Sequence, residues 1–597
     1  MPDLIAFFLP SASQLLALAG VLVVACGFSV IGAALGGRDR LPEADLLVGW
    51  SVVALVFVVF GGWLGFALTP LAVLSALLAF GAGVVLWRRG EPMLDRDSLK
   101  VMAWMAPLLL ATASMAPSQW DEFTQWLPNS RYLVLFDHFP GAAHPPSDSV
   151  FPAYPPGITV VYLLVSRLGG GFFDTIAPWF NLLLLAATAR LAVRLFRGDD
   201  QPTGWTVCAW GVLAVTSLGT TFVPKLVLSG YADTATAVAV AFSAVLGLRL
   251  RQGRAPVIQF GFVFALLPMT KQGNFALMGL LLVALGLDAL LRREPLMHLG
   301  RRLALGLLPM ALAVLAWRLH VTAGVGELSV RPPATWEWHL LPAMLTSMKD
   351  VALSKGGYFG FGLVLVVLAV AGRGRSRLVT LFALCFLGYN LFLLFVYLAI
   401  LAGYESANAA SFWRYNTHLG LFQMLVLALV AGEALRRLGL WGRPDLRRAA
   451  LALGGLAAVA VPFAALKWIR FDRNPAKLDA YRVIREMTPL VPFGAPMLTV
   501  DARGTGFYGN FASYHMGYGR RMVANVTTFN VDGLGQGLAA YRPAYLWVRT
   551  LNPAVVAVLG LPLDERASHL LAAEGTGWRV VKSWPYPPGL DPAAEKE

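Results

Sequence analysis

Apolar runs of about twenty residues recur along the chain, each closed by a short polar segment, and none alternates strictly between apolar and polar positions. A run of that length crosses the ~30 Å hydrocarbon core as a helix. A lipid-exposed backbone must satisfy its own hydrogen bonds, and the lack of alternation argues against barrel strands. The pattern predicts fourteen spans, at about 12–35, 45–68, 70–87, 101–117, 173–196, 204–222, 232–250, 256–270, 273–291, 303–322, 358–372, 379–402, 415–435 and 449–468. No cleavable leader is expected, because no basic flank precedes the first run and no small-residue cleavage site follows a short core. The expected fold class is a polytopic α-helical membrane protein.

Two departures from this pattern organise the chain. The first is 118–157, a long polar interruption that opens on adjacent carboxylates, Asp121 and Glu122, and closes on the turn Tyr154-Pro155-Pro156-Gly157. The second begins after Trp468, where the apolar runs shorten. There the spacing predicts a small α/β domain over 469–597, with helices at 476–487 and 563–573 and strands at 497–500, 545–548, 555–559 and 578–581.

Charge orients the chain. Basic clusters at 38–40, 88–100, 190–197, 249–254, 292–302, 373–377 and 436–448 fall in alternate loops, and the intervening segments carry only scattered lysines and arginines. The positive-inside rule makes the clustered side cytoplasmic, which places the N-terminus and the C-terminal domain outside, in the periplasm of a bacterial inner membrane. The apolar stretch 158–168 is short, and counting it as a span would invert every later loop. It is expected to be a juxtamembrane or re-entrant helix at the outer surface. The formal charge of +14 is spread through these loops and forms no single face, which excludes a nucleic-acid partner. Cys26, Cys208 and Cys385 all lie in apolar runs without metal or redox spacing.

The candidate chemistry sits on the outer face. Adjacent carboxylates on a helix point about 100° apart, so one of Asp121 and Glu122 is expected to act and the other to support structure. Asp233 stands at the start of an apolar helix, where a carboxylate is favoured by the helix N-terminus and costly against lipid, so it should face a cavity. Lys271, in the hairpin Met269-Thr270-Lys271-Gln272-Gly273, and Arg414, in Phe412-Trp413-Arg414-Tyr415, are placed to hold a phosphate, with Lys225 a further member of the set. Each also has a plain reading as a helix cap or a snorkelling anchor. His138 and His144 match no closed zinc spacing. No cofactor is required by the residues, and a divalent ion on Asp121 or Asp233 is left open.

With these motifs in this order, the sequence resembles the GT-C superfamily of integral-membrane glycosyltransferases, most closely the branch of protein O-mannosyltransferases and the lipid A aminoarabinose transferase. The matching features are Asp121-Glu122 in the first large outer loop, Tyr154-Pro155-Pro156-Gly157, Gly230-Tyr231-Ala232-Asp233 and the Thr270-Lys271 hairpin. The resemblance covers roughly 101–300. It implies a catalytic module over 101–468 preceded by three extra helices within 1–100, and transfer of one sugar with inversion from a polyprenyl-phosphate donor to an envelope glycan, lipid or protein acceptor. It also implies Asp121 as base, Asp233 as a second essential carboxylate and Lys271 on the donor phosphate. The alternatives are a transporter or flippase for lipid-linked sugars, and a polysaccharide polymerase or ligase. No internal repeat of the kind many transporters show is present.

Overall fold

The computed structural model describes residues 9–92, 95–198, 203–321, 330–372, 376–439, 444–520 and 522–593. Of the basic loop residues, Arg373, Arg375 and Arg443 fall outside these. The chain divides into two compact units, one of Met1–Ser114, Leu133–His144 and Ala153–Ile469, the other of Met115–Tyr132, Pro145–Pro152 and Arg470–Glu597.

The first unit is helical. Eight of the fourteen predicted spans coincide with helices long and apolar enough to cross a membrane, and two more with helix pairs broken at bends of 44° and 95°. Three others fall on shorter apolar helices, Trp205–Val215, Arg254–Thr270 and Arg448–Ala464, and one on Arg96–Thr112. By length and composition the described residues thus contain eight to ten candidate spans. Contacts between loops join several basic clusters. Arg436 donates to the carbonyls of Phe196 and Arg197, while Arg251 and Arg377 both pair with Glu294.

Close helix crossings depend on missing side chains. A Cβ on Gly32 would lie 2.0 Å from the Asp45 carbonyl oxygen, and one on Gly49 would lie 1.8 Å from that of Phe28. Helices Ala12–Gly36 and Asp45–Val56 therefore meet backbone to backbone, the small-residue packing by which helices associate where no water drives them together. Gly49→Val is expected to lower the thermal unfolding midpoint of the solubilised chain by several degrees, because overpacking costs roughly 1–3 kcal/mol or more. Gly81→Ala, where a Cβ meets nothing within 4 Å, should not lower it. Equal midpoints for the two variants would refute this packing.

The stretch 158–168 forms the helix Gly157–Gly169, one of the shorter apolar helices, and its residues 157–166 are buried. Its polar residues Thr159 and Ser166 share one side of the axis and are buried with the apolar ones, Thr159 Oγ1 donating to the Pro156 carbonyl at 3.0 Å.

The second unit carries a five-stranded sheet in the order β2-β1-β3-β4-β5, with β1 (Met497–Asp501) parallel to β2 (Met522–Thr527) and β3 (Tyr545–Thr550). β4 (Ala567–Glu574) and β5 (Gly577–Pro585) complete it as an antiparallel hairpin. The predicted helix at 476–487 is present as Pro475–Met487. Two segments exchange types. Pro553–Leu559, expected as a strand, is a helix, because the Asn552 side chain caps it, Pro553 opens it and Gly560 at φ 65° closes it. The predicted helix at 563–573 gives way to β4, whose helix-favouring leucines and alanines pair with β5 across the tight turn at Gly575. Leu498, Val500, Leu546, Val548 and Leu571 bury one side of this sheet with Val555 and Leu559.

Candidate active site

In the first unit the candidate residues converge on one carboxylate. Asp233 opens the helix Asp233–Arg249 and is 2% exposed. Arg414 grips it with two hydrogen bonds, Nε to Oδ1 at 3.2 Å and Nη2 to Oδ2 at 2.9 Å. His418 Nε2 lies 2.9 Å from Oδ1 and Lys271 Nζ 3.5 Å from the same oxygen. With a carboxylate on Nε2, that nitrogen carries the proton, so His418 Nδ1 accepts from the Tyr389 hydroxyl at 3.0 Å. The guanidinium of Arg414 lies 4.3 Å from the Tyr231 ring centre. Lys225, on the short helix Pro224–Val227, takes no part in these ion pairs.

Each element is held in place by a local cause. The helix Arg254–Thr270 ends as Lys271 turns to extended backbone, and Asn274 Nδ2 donates both to the Leu267 carbonyl at 2.9 Å, which also accepts from the Lys271 N–H, and to Thr236 Oγ1 on the Asp233 helix at 3.0 Å. That bond ties the lysine hairpin to the carboxylate's helix. The Tyr154–Gly157 turn abuts the same hairpin, since a Cβ on Gly157 would lie 2.6 Å from the Met269 carbonyl. Arg414 and His418 are four residues apart and so share a side of one turn. Ahead of them Ala409 and Ser411 adopt left-handed backbone, φ 43° and 62°, which non-glycine residues hold only when the surroundings demand it.

The electrostatics give the cluster a direction. The carboxylate is the most deeply buried member, while the Lys271 and Arg414 side chains are 13% and 24% exposed. A buried charge without partners would be prohibitively costly, so Asp233 is the counter-ion that lets two cations stand together. A divalent ion does not fit, since both carboxylate oxygens already face cationic donors. Among the described residues no group of three or more His, Cys, Asp or Glu side chains is placed to hold a metal, and His138 and His144 stack ring on ring at 4.5 Å.

Asp121 and Glu122 belong to the second unit. Glu122 is 1% exposed and its Oε2 accepts from the backbone N–H groups of Ser118 and Gln119, both at 2.8 Å. Lys477 Nζ donates to the Ser118 carbonyl at 3.0 Å. Asp121, which immediately precedes the π-helical turn Glu122–Trp126, is half-buried. The backbone rotation between neighbours thus commits one carboxylate to the loop and leaves its neighbour near the surface. Phe123 anchors the turn among Phe511, Tyr514 and His515, with ring centres 5.0, 5.3 and 5.4 Å away.

Burial, and then the charge of Arg131, push the His515 imidazole down to about 3. The ring stays neutral in the folded unit, whereas the unfolded chain takes up a proton below about pH 6.5. Protons bind the open form, so stability falls as pH drops from about 6.5 toward 3, by up to about 1.4 kcal/mol per pH unit. His515→Phe should flatten that limb in hydrogen exchange of the 507–515 amides. A pH dependence unchanged by the substitution would assign it elsewhere.

His418, Tyr389 and Tyr231 were not singled out from the sequence as site residues. The four-residue interval from Arg414 was the available signal for His418, while Tyr389 comes from the preceding long helix and had none.

Among solved structures the chain is similar to ArnT from Cupriavidus metallidurans, crystallised bound to undecaprenyl phosphate, at 13% identity over 82% of this chain and 98% of that one, with a TM-score of 0.44. No family model matches the sequence. No curated protein matches it either.

Proposed function

We propose that the protein is a GT-C-type glycosyltransferase that moves one sugar from a polyprenyl-phosphate donor to an envelope acceptor on the outer side of the cytoplasmic membrane. The observation that carries the reading is the meeting of Asp233, Lys271 and Arg414 within 3.5 Å. Sequence motifs separated by long apolar helices supply the cations that a lipid phosphate needs, on one counter-ion.

The chemistry follows from those groups. An acceptor hydroxyl oxygen attacks the anomeric carbon, its proton passes to a carboxylate, and the bond from that carbon to the phosphate oxygen breaks with both electrons leaving on the lipid phosphate. Charge grows on that phosphate, where Lys271 and Arg414 stabilise it; fixed donors aimed at developing charge are worth several kcal/mol in a dry site. Asp233 holds both cations and so positions them. Asp121, the accessible member of its pair, is the candidate base, and removal of a proton by a placed carboxylate contributes about 10²–10⁴-fold. Displacement in a single step inverts the anomeric centre.

The test compares lipid-linked sugars and envelope glycans, by mass spectrometry, from cells with the wild-type chain, without it and with Lys271→Ala. The expected result is loss of one sugar residue from a glycan, lipid or protein in both altered strains, with its polyprenyl-phosphate form accumulating. For the purified variant, weakened donor binding is expected. Loss of a whole preassembled glycan would point to a polymerase or ligase, and a purified wild-type chain that transfers no sugar, with the donor mislocated in cells lacking it, would point to a flippase.

A further inference from the structure

One oxygen of Asp233 is approached by more donors than it can fully serve. A carboxylate oxygen has two lone pairs. Among the described residues Oδ1 faces His418 Nε2 at 2.9 Å, Arg414 Nε at 3.2 Å and Lys271 Nζ at 3.5 Å. By distance the two nearer donors take the lone pairs, and the lysine stands at the outer limit of a hydrogen bond. Arg414 is fixed a second time, through Nη2 to Oδ2 at 2.9 Å, and its guanidinium lies 4.3 Å from the Tyr231 ring centre. Lys271 is therefore the cation this carboxylate holds least.

The histidine that stands ahead of the lysine is itself locked. His418 is 2% exposed in the short turn Thr417–Leu419, and Tyr389, 4% exposed, reaches it from the helix Arg377–Ala399. Either ring nitrogen of a neutral imidazole can carry the proton, and the hydrogen bond made by one decides the state of the other. A proton on Nδ1 would set Nε2 and the carboxylate acceptor against acceptor. The Tyr389 hydroxyl, 3.0 Å from Nδ1, removes that alternative by donating there.

We propose that His418, locked by Tyr389, is a positioning residue that keeps Lys271 from closing onto Asp233. The carboxylate then balances the charge of the lysine without drawing its ammonium into a short contact, and the ammonium can turn to the phosphate that leaves. Arg414 is the fixed cation of the pair and Lys271 the one that moves. This division of labour rests on the reading of Lys271 as a donor-phosphate ligand, whereas the placement of His418 does not.

Two measurements on the full chain, purified in detergent, separate the placement from the reading. The first is the rate of reductive methylation of Lys271, followed by peptide mass spectrometry, with Lys349, whose side chain is 64% exposed, as internal reference. An ammonium drawn onto a carboxylate keeps its proton, and only the neutral amine reacts. His418→Phe vacates a lone pair on Oδ1 and admits the lysine, so methylation of Lys271 is expected to slow several-fold. His418→Gln, whose side-chain N–H still reaches for Oδ1, should recover most of the rate. A histidine that only fills space would be replaced as well by Phe as by Gln. Tyr389→Phe removes one oxygen atom and keeps the packing, so it serves should His418→Phe fail to fold, and a smaller slowing is expected. A Lys271 rate that is unaltered or faster in the folded variants overturns the proposal.

The second measurement is the donor KM. In His418→Phe it should rise about tenfold with the acceptor KM retained, roughly the ratio that one charge-assisted hydrogen bond gives. Slowed methylation with an unchanged donor KM would uphold the placement of His418 and take the donor phosphate away from Lys271.

Discussion

Asp233→Asn is expected to abolish transfer, by about a thousandfold or more, and to destabilise the first unit as well. The substitution keeps the shape of the side chain and removes its charge, so Lys271 and Arg414 are left facing each other over a neutral amide. Breaking a buried ion pair by deleting one partner costs about 3–5 kcal/mol, because the remaining charge has lost both water and counter-ion. The effect should register twice, as a lowered thermal midpoint and as lost activity at temperatures where the variant is still folded. A double-mutant cycle with Arg414→Gln separates the two. Residues in one network couple by about 0.5–3 kcal/mol. The double variant should therefore be more stable than the sum of the single effects predicts, while transfer stays lost. Simple additivity would show that the contact at 2.9 Å does not hold the arginine. Unchanged activity in Asp233→Asn would remove this cluster from the reaction.

The two adjacent carboxylates of the loop should behave oppositely. Asp121→Asn is expected to reduce turnover by about 10²–10⁴-fold with donor binding and thermal midpoint retained, because an amide of the same shape cannot take the acceptor's proton. Glu122→Ala is expected to act on structure first. Its carboxylate accepts two backbone N–H groups, and charge-assisted bonds of this kind are worth roughly 1.5–3 kcal/mol each. Loss of the side chain should raise hydrogen exchange at Ser118 and Gln119 before any change in the chemical step is read. If Asp121→Asn turned over normally while Glu122→Gln, folded, did not, the assignment within the pair would reverse.

Much of this architecture can be read along the chain, and the physics separates what can from what cannot. A helix in lipid must be uniformly apolar over about twenty residues, and that is a property of consecutive positions. The long helices, the polar loop at 118–157 and the change of composition after Trp468 are therefore visible without coordinates. Asp233, Lys271 and Arg414 were also visible singly, because a charge at the mouth of an apolar helix is expensive and stands out. The failures have the same logic. The helix Pro553–Leu559 and the strand Ala567–Glu574 each follow caps and partners, not the intrinsic preference of their own residues.

What consecutive residues do not contain is distance across the fold. That Asp233 answers Lys271, Arg414 and His418 together, that Tyr389 bonds the far nitrogen of that histidine, and that Glu122 turns back on Ser118 are facts of packing. Hydropathy is written one residue at a time and chooses the elements. Charge pairing depends on residues brought together from remote parts of the chain, and only the folded molecule brings them together.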